Sequence, residues 1–229
     1  MTRLYNLNMD NKGTTTSYEG VLPSHMPFDI WEVYARLVLQ FLDEATYRNL
    51  SHRDKPDLWD ELHDLGVEVT QAISQETQEA DALYAKLRET DDAKLKERLT
   101  ERIEQVGAEV FDWGLFGPSG KDSFGLVIEA YKEKLGKLNG GGYRPFAHNH
   151  LFIRSDVLAD TVMLEEALAA FLSLSAYSVS FERVIVTVPG HNYDFDLVSQ
   201  MYKAISFGSD DQFRIAEQAR ALVLGAEMS

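Results

Sequence analysis

His148-Asn-His150 is the most chemically loaded stretch of this chain. Alternate residues of a strand face one side, so an extended segment here would present both imidazoles together. His191 follows a second, β-branched run, and Asp194 lies just beyond it. His148, His150, His191 and Asp194 make a donor set suited to Zn2+ or Fe2+. Register works against convergence. His148 and His150 fall early in their strand and His191 falls after its own, which separates them in a parallel pair. Hydrogen-bonded histidines are the plainer reading.

A second candidate is an anion-holding loop around Gly120, Lys121 and Ser123. Free backbone amides at a helix start, an ammonium and a hydroxyl suit one phosphate-like group. Ser119-Gly-Lys-Asp-Ser123 resembles the Ser-Gly-Gly-x-Asp-Ser loop of the ATP pyrophosphatase family, with one glycine missing. That resemblance implies adenylating chemistry on an α/β sheet. A P-loop is not matched, because Asp122 follows Gly120-Lys121 where Ser or Thr is required.

Two acidic patterns bear on phosphoryl chemistry. Glu61-Leu-His63-Asp64 resembles the His-Asp core of metal phosphohydrolases of the HD class. That family implies further His and Asp from other helices, and the upstream histidines, His25 and His52, stand in no matching context. Glu61-x-x-Asp64 followed by Glu76-x-x-Glu79 resembles, in reversed order, the paired acidic motifs of the all-helical nucleotide pyrophosphohydrolases. Carboxylates at i and i+3 share a helix face and hold Mg2+ in such proteins. With 37 acidic residues in the chain, such pairs arise freely, and a solvated helix face explains them as well.

The elements that must carry these residues read as mostly helical. The chain has 229 residues, 45% hydrophobic and 11% aromatic, enough for a substantial core. It has no cysteine, which excludes disulfides, thiolate metal sites and cysteine nucleophiles. Its net charge of −15 disfavours direct binding to nucleic acid or anionic membranes. No apolar run is long and uncharged enough to span a bilayer, and the first residues do not read as a secretory signal, so a cytoplasmic location is expected.

Residues 1–27 read as an extended arm, with a short strand at Leu4–Leu7. Ile30, Val33, Tyr34, Leu37, Val38 and Phe41 repeat at helical spacing after Asp29. Leu58, Leu62, Leu65, Val69 and Ile73 then make a stripe running on through Leu83 and Leu87. This predicts a helix from Pro56 to Glu89. Thr90-Asp91-Asp92 is a turn, and Leu95, Leu99, Ile103, Val106 and Val110 form the returning stripe. Residues 54–112 hold 17 acidic and 7 basic side chains, so this expected hairpin carries most of the negative charge.

Beyond a Gly-rich loop at 113–125, a helix to Leu138 is expected. Strands are expected at Phe146–Ile153 and Val184–Val188, with a helix between them, which implies a parallel crossover. Two helices, Asp194–Phe207 and Asp210–Leu224, would close the chain.

The expected fold is therefore α+β and predominantly α-helical. A long antiparallel helical hairpin is joined to a small C-terminal two- to three-stranded sheet covered by helices. The expected divisions are an arm at 1–27, a helical region at 28–118 and a smaller α/β region at 119–229. The function expected first is a non-enzymatic interaction or assembly protein, self-assembling or acting as an acidic inhibitor or adaptor. Its partner-facing or hairpin-closing surface would be Leu83, Leu87, Leu95 and Leu99. The alternatives are a metal-dependent nucleotide phosphohydrolase and an acidic mimic of DNA. No cofactor is expected beyond a divalent metal at one of the clusters above. The partner would be a protein or a second copy of the chain, with neither nucleic acid nor membrane.

Overall fold

The computed structural model describes residues 30–53, 55–111, 114–116, 123–141, 144–174 and 177–227. The N-terminal arm and its expected strand lie outside these residues. In chain order the elements are α1 (Ile30–Leu42), α2 (Glu44–Tyr47), β1 (Ser51–His52), β2 (Leu58–Asp60), β3 (Leu65–Ala72), α3 (Gln75–Glu89), α4 (Ala93–Gln105), β4 (Glu109–Phe111) and β5 (Gly114–Phe116). They continue with α5 (Gly125–Asn139), β6 (His148–Ser155), α6 (Thr161–Ser173), β7 (Arg183–Val188), β8 (His191–Asp196), β9 (Met201–Ser206) and α7 (Ser209–Glu227).

The chain divides into two units, Ile73–Lys121 in one and His25–Ala72 with Asp122–Ser229 in the other. The larger unit is built on a seven-stranded mixed sheet in the order β1-β2-β3-β6-β7-β8-β9. β3, β6 and β7 are parallel and all other neighbours are antiparallel. A long helical hairpin beside a sheet of two or three strands is thus not the architecture. Two parts of the expected helical pattern are strands.

The first is residues 58–72, expected as the opening of the long helix. β3 is a central strand in which Leu65, Val67 and Val69 alternate with Gly66, Glu68 and Thr70, and Glu68 is buried on the second face. Leu62, which completed the apparent helical stripe, is 80% exposed in the turn between β2 and β3. Gly66 marks the difference. A Cβ there would stand 2.8 Å from Phe146 Cδ2 and 3.0 Å from Pro56 Cγ, so only glycine lets these side chains close over β3. The second is residues 194–207. The spacing of Phe195, Val198, Met201 and Tyr202 imitates a helix, but Asp196 Oδ1 accepts from the amides of Val198 and Ser199 and turns the chain back. Gln200 completes the turn at φ 58°.

Helices cover both faces of the sheet. On one face α5 and α6 close a core around Tyr131, Phe171, Phe181 and Phe195. Tyr131 and Phe171 meet at a tilt of 37° with ring centroids 4.5 Å apart, and Phe171 meets Phe195 edge-on at 5.2 Å. Such pairs add about 0.5–1.5 kcal/mol each beyond their burial. On the other face lie α1 and α7. Val33, Tyr34, Val38 and Leu39 of α1 are buried. Gln212 of α7 clamps the end of β7, donating to the Val188 carbonyl and accepting from the Gly190 amide.

In the smaller unit α3 and α4 pack through Ala80, Tyr84 and Ile103. Ser74 caps α3 and Asp92 caps α4. The returning helix stops at Gln105, short of its expected length, where Gly107 adopts φ 83° and the chain becomes the β4–β5 hairpin.

Candidate functional site

The α1/α7 face of the sheet carries a buried polar cluster at the beginning of β6 and β7. It starts from a break in the first helix. Asp43 leaves helical geometry at φ −154° and caps α2, accepting from Thr46 N at 3.2 Å and from Thr46 Oγ1 at 2.9 Å. That cap turns α2 so that Tyr47 is fully buried against the sheet. The Tyr47 hydroxyl lies 2.9 Å from His150 Nδ1. His150 pairs in register with Arg183 of β7. Arg183 donates to both carboxylate oxygens of Asp194 on β8, from Nε at 2.8 Å and from a terminal nitrogen at 2.7 Å. Its other terminal nitrogen donates to Asp43 at 3.1 Å.

The electrostatics follow from this wiring. Burial, with the Arg183 charge alongside, pushes His150 down to about 3, so its imidazole is neutral at physiological pH. Burial also pushes the Tyr47 phenol up. Burial raises Asp43, but its bonds from Thr46 and Arg183 outweigh that and hold the carboxyl below its ordinary value. The forked bond to Asp194 raises Arg183. One guanidinium is shared by two carboxylates, and the cluster ties the α1–α2 corner to three strands as a strut.

The four residues expected to hold a metal are divided. His150 and Asp194 both belong to this cluster, linked through Arg183. His148 is exposed and pairs with Glu182, Nδ1 to Oε2 at 2.8 Å. His191 opens β8 at the opposite end, its ring stacked on Tyr193. Along β7, Arg183 faces His150 and Val188 faces His191, five residues apart, or about 16 Å at strand rise. Among the described residues no three His, Asp or Glu side chains are grouped to hold a metal ion.

Of the anion loop, Gly120 and Lys121 lie outside the described residues, and Ser123 is exposed, accepting from the Gly125 amide at 3.3 Å. Glu61 and Asp64 sit at the β2–β3 turn while Glu76 and Glu79 belong to α3, so the two acidic pairs share no helix. His63 bonds Asp60, Nδ1 to Oδ2 at 2.6 Å. Leu99 is buried, and Leu83, Leu87 and Leu95 are half-buried. Leu83 and Leu87 pack on the small core of α3 and α4.

Sequence reasoning missed Asp43, Tyr47 and Arg183. The signal for the first two was Asp43-Glu-Ala-Thr46, a capping sequence inside an apparently continuous helix.

The outer boundary of the sheet is the other notable feature. Among the described residues β9 has no neighbour beyond β8. Val198 in the β8–β9 turn is 73% exposed and Met201 at the start of β9 is 57% exposed. A groove of about 390 Å3 runs between α1 and α7, lined by Phe41, Arg48, Arg214 and Ile215 among others. No described helix is long and apolar enough to cross a membrane. Comparison with protein-family models, with curated proteins and with solved structures finds no match for this chain.

Proposed function

We propose that this chain is a non-enzymatic protein-interaction module that engages its partner along the β9 edge. The observation that carries this reading is the six-residue edge strand Met201–Ser206 with Val198 and Met201 exposed beside it. Half the N–H and C=O groups of an edge strand point outward, and they template an added strand. The polar cluster of Asp43, Tyr47, His150, Arg183 and Asp194 supports the same reading from inside, because its groups bond one another and hold the sheet rigid behind that edge.

Lysine-directed crosslinking in the native extract, read by mass spectrometry, tests this. A partner is expected to crosslink to Lys203 of β9 and to be lost from a Val198→Asp/Met201→Asp variant of unchanged melting temperature. Equal recovery by both proteins, or crosslinks that map to the α1–α7 groove instead, would overturn it.

A further inference from the structure

We infer that the β9 edge is built for an extended segment of a basic partner, taken up as an eighth strand. This rests on the interaction reading above and names the chemistry of the occupant. The edge is one observation, and the helix beside it is the second. Tyr202 of β9 packs on the core that α6 closes, so α6 flanks the edge on that face. From Ser155 to Glu182 the chain has five acidic residues and no Lys, Arg or His. Asp160, Glu165 and Glu166 of this stretch are exposed. No ion pair is found for Glu165 or Glu166 among the described residues.

Strand alternation places Tyr202, Ala204 and Ser206 on the α6 face and Met201, Lys203 and Ile205 on the opposite one. Lys203 stands in register with Asp194, away from Glu165 and Glu166, so it leaves their charge uncompensated. An added strand would follow the same alternation. Its residues on the α6 side would lie in the field of this acidic helix, and those on the other side would run beside Met201 and Ile205. The matching sequence is alternating Lys or Arg with apolar residues. A second copy is the poorer occupant, because it would bring the same acidic helix and another net charge of −15 to the contact.

The test uses the full chain, isotope-labelled, with two synthetic hexapeptides of alternating Lys-Val and alternating Glu-Val. The Lys-Val peptide is expected to shift and protect β9 amides in NMR and hydrogen exchange. The Glu-Val peptide is expected to leave them unchanged. Affinity should fall about tenfold or more in a Glu165→Lys/Glu166→Lys variant, with a smaller fall in Glu165→Gln/Glu166→Gln, and should weaken between about 50 and 500 mM salt. Equal binding of both peptides, shifts confined to the α1–α7 groove, or a dimer paired through β9 would overturn the inference. A partner crosslinked at Lys203 but indifferent to both α6 variants would retain the interaction reading and sink the basic occupant.

Discussion

Arg183 is the residue on which the buried cluster turns. Replacing it with Met leaves Asp194, 7% exposed, as an uncompensated charge. The expected loss is about 3–5 kcal/mol in denaturant unfolding. Two buried groups, His150 in this cluster and Asp57 apart from it, respond to pH in opposite directions. His150 is held down to about 3, so its contribution to stability is complete above its unfolded value of about 6.5 and is lost as pH falls from there toward 3. His150→Gln should flatten that part of the stability curve. Asp57 is pushed up to about 6, chiefly by burial and then by the Glu68 charge, although Lys134 lies 3.9 Å away. Its penalty is therefore present above pH 6 and relieved as pH falls through 6 toward its ordinary range. Asp57→Asn keeps an acceptor for the Val69 amide and should raise stability by about 1–3 kcal/mol near neutral pH, with no gain near pH 3.5. Asn192 poses a cleaner question of sign. It is fully buried, and neither side-chain amide atom has a hydrogen-bond partner among the described residues. Asn192→Leu should stabilise the fold by about 1–3 kcal/mol, and a loss of stability would show that the amide is satisfied in solution.

At the level of elements, Gly66 offers the sharpest test. Gly66→Ala forces Phe146 and Pro56 aside and should cost about 1–3 kcal/mol in thermal or denaturant unfolding. The same position shows why part of the fold was hidden in the sequence. Leu58, Leu62, Leu65 and Val69 satisfy a helical period, yet Leu62 faces water and the others belong to two strands joined by a turn. Leu65, Val67 and Val69 alternate with Gly66, Glu68 and Thr70, a six-residue strand period that the longer helical stripe from Leu58 to Ile73 masked. Where patterns were unambiguous, the reading matched. The β-branched run at Val184–Val188 is a strand, Phe146–Ile153 largely coincides with β6, and the two are parallel with α6 between them. Site residues were legible as types and not as neighbours. His150 and Asp194 share a cluster, but Arg183 joins them, and only the strand register reveals that link.

At the level of the whole chain, the acidic excess acts on every contact. With a net charge of −15, self-repulsion opposes the folded state, so added salt should raise the melting temperature until screening is complete, measured by calorimetry from low to moderate ionic strength. The order of the sheet also spreads its partners far along the chain. β3 ends at Ala72 and its parallel neighbour β6 begins at His148, with the unit Ile73–Lys121 in between. On a ribosome adding about 5–20 residues per second, β3 emerges roughly 4 to 15 s before the strand it must pair with. Val67 and Val69 wait through that interval in a strand that has β2 on one side and lacks its parallel partner β6 on the other, while the short-range α3–α4 pair has time to form. The nascent chain should therefore call on a holding chaperone at β3, and ribosomes stalled between residues about 110 and 180 should carry one until β6 has cleared the exit tunnel.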